Sequence, residues 1–291
     1  MATHVILMLV LSCFFCFSAA AASAETLVFT AIPDEDETKL VERFRSVADY
    51  LSEQLNVDVR YIPVKSYAAA ISAFRNNQVQ LAWFGGLSGV QARRLVPGSE
   101  AIAQGVEDKA FETYFIANTN TGIKPAAELS TLEGPLQGKT FTFGSKGSTS
   151  GRLMPEFYVR DTFGAKPDDF FSRVGFSGNH TRTLRLVEAD TYDVGALNFQ
   201  VWEKELGDSS INTDAVQVIW KTPHYPDYQW TIWGDVNERF GDGFKQRVTE
   251  ALLNLDDPEL LASFPRSGFI PASNADYEPI RKTAQEIGIL D

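Results

Sequence analysis

Strand-like and helix-like patterns alternate along this chain, break off at a stretch rich in Thr, Gly and Pro, and then alternate again. The first run is predicted as a strand over 26–32 and a helix over 37–55, with Leu40, Phe44, Val47, Ala48 and Leu51 on one face. A strand over 57–62, a short helix over 67–76 and a strand over 79–84 follow, and Gly85-Gly86 opens another helix. That order demands a mostly parallel sheet covered by helices. After Lys139 the pattern restarts: strands over 140–143, 173–176, 192–196 and 216–220, with helices over 151–163, 181–189 and 199–206 between them. The expectation is two α/β lobes joined by two crossings, one in 119–138 and one in 221–228, where Pro223 and Pro226 sit. The domain boundaries follow: residues 25–118 and 226–291 form lobe 1, residues 119–225 form lobe 2, and helices over 241–254, 258–263 and 274–287 return to lobe 1.

The N-terminus reads as an export signal. Val5 to Phe17 is a nearly unbroken apolar run, and Ala22-Ser23-Ala24 fits the small-residue rule for signal peptidase, so cleavage is expected after Ala24. The run is short for a membrane span, which needs about 20 apolar residues. A retained anchor is the alternative. Both cysteines, Cys13 and Cys16, lie in this segment, so the exported chain has neither disulfide nor thiolate ligand. With 26 Lys and Arg against 38 Asp and Glu, the net charge is −12. Such a chain is a poor partner for nucleic acid or anionic lipid. Any anion site has to work locally, against the overall field.

Four loops carry chemistry. Phe143-Gly144-Ser145-Lys146-Gly147-Ser148-Thr149-Ser150-Gly151 follows a predicted strand and opens a helix. The first turn of a helix offers unpaired N–H groups and a positive dipole end, glycines let the backbone approach an anion, and Ser148, Thr149 and Ser150 add three hydroxyl donors. Simple capping would need one hydroxyl. Three in a row suit a tetrahedral anion. No Gly-Lys-Ser/Thr ends the loop, so it is not a Walker A motif. At Trp83-Phe84-Gly85-Gly86 a second junction permits close approach, and its aromatics suit either a cleft wall or core packing. His180, after Ser177-Gly178-Asn179, begins a predicted helix, where the dipole favours a neutral ring able to donate one hydrogen bond; a structural role is the alternative. Asp227, in His224-Tyr225-Pro226-Asp227-Tyr228, accepts hydrogen bonds only when ionised, so it suits a protonated oxyanion. A turn role next to Pro226 is equally open.

These motifs resemble the phosphonate/phosphite/phosphate-type periplasmic binding proteins of ABC importers. The likeness rests on Ser148 to Gly151, on His180 after Gly178, on Pro226-Asp227-Tyr228, on Ser66-Tyr67 and on Tyr114 in Thr113-Tyr114-Phe115. Residues 82–105 are most similar to a subgroup described as selenate-binding. The resemblance implies a type II periplasmic-binding fold with the ligand in the cleft between the lobes. It also implies an oxyanion site lined by Tyr67, Tyr114, Ser148, Thr149, Ser150, His180 and Asp227, with Tyr228 as a neighbouring wall. One departure is informative. Aminophosphonate binders of the family place an acid for the ligand's amine where this chain reads Leu197-Asn198-Phe199-Gln200, which favours a compact, tail-less anion.

The expected function is capture of a small tetrahedral oxyanion in the periplasm: phosphonate, phosphite or phosphate, with selenate and selenite also of suitable size. A monomer is expected to deliver it to an ABC permease at the inner membrane. A binding protein that feeds a membrane histidine kinase is the alternative, since both partners would read lobe closure. With no metal-ligand cluster and no nucleophile motif, neither cofactor, metal nor catalysis is expected.

Overall fold

The computed structural model describes residues 25–291, apart from the side chains of residues 262 and 263. The expected signal peptide and its cleavage site lie outside the described residues. The first pass of the chain runs β1 (Leu27–Ala31), α1 (Glu37–Leu55), β2 (Val59–Tyr61), α2 (Tyr67–Arg75), β3 (Leu81–Phe84), α3 (Gly86–Leu95) and β4 (Glu100–Gly105). Helix α1 shows why the pattern was readable. Asp36 caps it by accepting from Thr38 and Lys39 N–H, its Leu40, Phe44, Val47, Ala48, Leu51 and Leu55 are buried, and Asn56 ends it in the left-handed region. Each large side chain so buried contributes roughly 1.5–3 kcal/mol.

The chain then crosses into the second lobe: β5 (Thr113–Asn118), α4 (Glu133–Leu136), β6 (Thr140–Phe143), α5 (Met154–Phe163), α6 (Pro167–Phe170), β7 (Arg173–Phe176), α7 (His180–Glu188), β8 (Val194–Asn198), α8 (Phe199–Gly207) and β9 (Val216–Lys221). It returns through residues 222–228 to β10 (Gln229–Ile232), α9 (Val236–Phe240), α10 (Phe244–Leu253), α11 (Pro258–Ser263), β11 (Phe269–Pro271) and α12 (Glu278–Glu286). One sheet is ordered β11-β4-β10-β3-β1-β2, the other β7-β6-β8-β5-β9.

Two expectations need correction. Both sheets are mixed rather than mostly parallel. Strands β1, β2 and β3 run parallel to one another, as do β6, β7 and β8, but β10 is antiparallel to β3 and β4, and β5 is antiparallel to β8 and β9. Strands β5 and β10, the first after each crossing, arrive from the other lobe, so they run against the strands built by local strand-helix-strand units. The first crossing also comes earlier than expected. Strand β5 sits inside the second sheet, paired with β8 and β9, so the chain changes lobe between β4 and β5 and the 118/119 boundary is displaced. Residues 119–138 are instead an excursion within lobe 2, where Ile123, Leu129, Leu132 and Leu136 pack on Phe115 and Phe141.

The lobes meet across the cleft. The His180 N–H donates to the Asp34 carbonyl at 2.9 Å, Gln200 Nε2 to the Pro265 carbonyl at 3.0 Å, and Arg160 Nη1 to the Ile287 carbonyl at 3.0 Å. At the rim, Lys39 of α1 pairs with Glu205 of α8 at 2.9 Å.

Candidate functional site: a buried polar cluster between the lobes

The C-terminal ends of the parallel strands point into the cleft, the usual place for ligands in open α/β sheets. From lobe 2 comes the loop after β6. The chain enters its helix through a π-helical turn, Thr149–Leu153, with Leu153 N–H reaching back to the Ser148 carbonyl at 3.0 Å. Ser148 caps this turn by accepting from Gly151 N–H at 2.9 Å. Gly144 and Gly151 make the arrangement possible. The Gly144 N–H donates to the Gly151 carbonyl at 2.7 Å, and a Cβ on Gly151 would come within 3.0 Å of the His180 ring and 3.1 Å of Gly144 Cα. The serine–threonine turn is thereby pressed against His180, the first residue of α7.

His180 is fully buried. The Asn198 N–H donates to its Nδ1 at 3.2 Å, so Nε2 carries the proton and faces the Ser148 hydroxyl at 3.5 Å. Burial lowers its pKa to about 4 against a weaker upward pull from Glu35, so the ring is a neutral donor at physiological pH.

Lobe 1 supplies the opposite wall. Gly85 and Gly86 start α3, whose first N–H groups find partners from elsewhere in the chain: Gly86 N–H donates to Asp227 Oδ1 at 2.8 Å and Leu87 N–H to Thr149 Oγ1 at 3.0 Å. The helix end is thus capped jointly by the crossing segment and by lobe 2. A Cβ on Gly85 would lie 3.1 Å from Asp227 Oδ1 and 3.4 Å from Thr149 Oγ1. Tyr67, first residue of α2, packs its ring against Gly147.

Four buried polar atoms around this point make no well-formed hydrogen bond within the protein: Tyr67 Oη, Ser150 Oγ, Asp227 Oδ2 and Asp34 Oδ1, although Tyr67 lies toward the Ser148 hydroxyl and the Asp227 carboxyl toward that of Ser150. Leaving each bare costs about 1–3 kcal/mol, so their convergence marks a place built for something polar. Burial raises the Asp227 pKa to about 7, although the Thr149 hydroxyl and the Gly86 N–H hold it down. Burial, reinforced by Glu35, raises Asp34 to about 6 against the pull of Arg43. The Tyr228 hydroxyl accepts from Asn198 Nδ2 at 3.0 Å and lies against the Asp34 carboxyl. Among the described residues there is no group of three or more His, Cys, Asp or Glu able to hold a metal ion.

Of the residues expected from sequence, Tyr67, Ser148, Thr149, Ser150, His180, Asp227 and Tyr228 therefore come together here. Three others stand differently. Trp83 belongs to an aromatic core: its ring stacks on Tyr228 at 5.6 Å, tilts against Trp230 at 5.3 Å and meets Phe264 at 5.6 Å. It backs the site through Tyr228. Phe84 points to the other face of β3 and packs edge-on against Phe74 of α2. Tyr114 is turned away as well. Its hydroxyl donates to Glu203 Oε1 at 3.0 Å and accepts from Lys221 Nζ at 2.8 Å, while its neighbour Thr113, on the opposite face of β5, bonds the Ser150 carbonyl at 2.9 Å. Sequence reasoning missed Asp34 and Asn198. Each lies at or just beyond the C-terminal end of a strand in its own lobe, which was the available signal.

Residues 29–277 match the family model described as ABC transporter, phosphonate, periplasmic substrate-binding protein. The chain belongs to this family. Among phosphonate-type binding proteins it is 40% identical, over 91% of each chain, to the probable ABC transporter phosphite binding protein PhnD1 of Prochlorococcus marinus (strain MIT 9301). It is 26% identical to the phosphonates-binding periplasmic protein of Escherichia coli (strain K12), over 91% of this chain and 78% of that one. The solved structure of the Prochlorococcus protein in complex with methylphosphonate superposes with a TM-score of 0.88, covering 91% of this chain and 99% of that chain. The type II fold of two mixed α/β lobes is the family's fold. Family members are periplasmic substrate-binding components that work with a membrane permease, which makes this an exported protein. No helix among the described residues is long and apolar enough to cross a membrane. Selenate and selenite, and the alternative of a kinase-coupled sensor, receive no support from these matches.

Proposed function

We propose that this protein captures a compact, tail-less phosphonate-type anion, with phosphite and methylphosphonate as the fitting ligands, and that it holds the ligand together with one proton shared with Asp227. The observation that carries the reading is the pairing of bare donors with one bare acceptor in the same buried space. Tyr67 Oη, Ser150 Oγ and the His180 Nε2–H can donate to ligand oxygens, while Asp227 Oδ2 is an unpartnered acceptor. A phosphonate monoanion presents both kinds of group, with bare oxygens for the donors and one P–OH for Asp227. The named ligands of the Prochlorococcus relative have this chemistry.

The binding step breaks no bond. Ser148, Thr149, Ser150 and His180 on lobe 2 meet the anion with lobe 1 withdrawn, and closure adds Tyr67 while the α3 N-terminus docks onto Thr149 Oγ1. Charge-assisted hydrogen bonds contribute roughly 1.5–3 kcal/mol each. A handful of them, less the cost of ordering and closure, corresponds to micromolar binding at about −8 kcal/mol. The ligand stabilises the closed form because only there do both sets of donors reach it, and the closed form is the one a permease would select.

Isothermal calorimetry at pH 6.5 and 8.5 against methylphosphonate, phosphite, phosphate, sulfate and selenate tests this. Methylphosphonate or phosphite should bind tightest at pH 6.5 and more weakly at pH 8.5, where ligand and Asp227 have both lost the shared proton. Equal or tighter binding of sulfate or selenate at pH 8.5 overturns the reading.

A further inference from the structure

An anion must reach this cradle on a chain that carries −12. The charge is shared unevenly. Residues 113–221, the body of lobe 2, hold 11 Lys and Arg against 13 Asp and Glu, a net −2, while the remaining 15 and 25 leave lobe 1 at −10. Four of the lobe 2 cations, Lys146, Arg152, Arg160 and Lys166, line a single cleft of about 610 Å3 whose carboxylates, among the described residues, are Glu156 and Asp168. Glu156 is shared between Arg152 and Arg160. Lys146 and Lys166 are exposed and have no ion-pair partner among the described residues. The cleft is therefore a positive patch on an acidic protein.

The patch is continuous with the binding loop. Lys146 stands two residues before Ser148, and Arg152 lies within the π-helical turn that begins at Thr149. Both cations sit over the ring of Phe176, at 5.2 and 5.3 Å from its centroid. Phe176 is 40% exposed and immediately precedes Ser177 and Gly178, which border the outer cleft between the lobes. Burial, and after it the neighbouring Arg160, lower the Arg152 pKa to about 10. All four cations are on lobe 2, so the patch persists when the lobes part.

We propose that this basic patch is an electrostatic entry surface, drawing the oxyanion onto the Ser148–Ser150 turn so that lobe 2 captures it before lobe 1 closes. The proposal rests on the binding function above and adds the order and rate of capture. Local fields of one sign near a cleft raise association rates by about 10- to 1,000-fold, and screening confines them to about 8 Å at physiological salt. Charges outside the contact surface act on the association rate rather than on dissociation.

Stopped-flow tryptophan fluorescence with methylphosphonate tests the idea on the Lys146→Gln/Lys166→Gln double variant. Its control is Lys124→Gln/Lys139→Gln, which removes the same charge beside a different cleft, at the opposite end of β6. At low salt, with a Debye length of about 30 Å, the patch variant should associate about 3- to 10-fold more slowly, and the control within about 2-fold of wild type. Dissociation rates should match, and the difference should vanish near 1 M salt. Equal association rates in the two variants, or an effect confined to dissociation, overturns the proposal. Failure of the wild-type protein to bind methylphosphonate at all overturns the underlying function, and this proposal with it.

Discussion

Asn198 donates its backbone N–H to Nδ1 of His180 at 3.2 Å, and this one bond decides which ring nitrogen faces the cradle. With Nδ1 occupied as an acceptor, Nε2 must carry the proton. The ordinary imidazole value of 6.5 falls to about 4 through burial, so the folded ring binds its proton more weakly than the unfolded one. The stability associated with this shift is therefore complete above pH 6.5 and is lost as the pH falls toward 4. Nitrogen-15 NMR of the histidines should show a neutral Nε2–H tautomer for His180 at pH 5. A titration centred near 6.5 would contradict the buried, tautomer-locked ring. His180→Ala should weaken methylphosphonate binding at least tenfold, by calorimetry.

Asp227 titrates in the opposite sense. Its folded value of about 7 lies above the ordinary 3.8, so burial favours the protonated form. Stability from this group is present at low pH and is lost as the pH rises through 7. In the ligand-free protein, Asp227→Asn should flatten the decline in melting temperature between pH 5 and 8. The same variant presents an amide donor in place of the acceptor. It should lose at least tenfold in affinity for methylphosphonate at pH 6.5 and bind the fully ionised form relatively better at pH 8.5. Unchanged pH dependence of binding would show that Asp227 serves only as the cap of α3.

Gly85 tests the closeness of the walls. A methyl group there would crowd Asp227 Oδ1 at 3.1 Å and Thr149 Oγ1 at 3.4 Å, atoms of the crossing segment and of lobe 2. Gly85→Ala should weaken binding at least tenfold and leave the liganded protein more open by small-angle scattering. Thr149→Ala should weaken binding comparably, because it also strands the Leu87 N–H that Thr149 Oγ1 accepts at 3.0 Å, whereas Thr149→Ser should stay within about threefold.

Tyr114 provides a negative control inside the resemblance. Its hydroxyl is engaged by Glu203 and Lys221 rather than by the cradle. Tyr114→Phe should leave methylphosphonate affinity within twofold of wild type. A tenfold loss would restore it to the site.

Local sequence by itself determined a good deal of this protein. The period of Leu40, Phe44, Val47, Ala48 and Leu51 specified α1, and the runs over 140–143 and 173–176 specified β6 and β7, because a single apolar face or a short apolar run is a local property. The glycine-flanked hydroxyls of 148–150 pointed to the loop that packs against His180, since the chemistry of a helix start is also local. Tertiary structure alone decided three other things. It placed β5 in the second sheet, because strand pairing is chosen by long-range partners that no window of the sequence contains. It separated Thr113 from Tyr114, since which face of a strand looks toward the ligand depends on where the lobes sit. And it brought Asp34 and Asn198 to His180, where from opposite lobes the Asp34 carbonyl accepts the His180 backbone N–H and the Asn198 N–H donates to the ring.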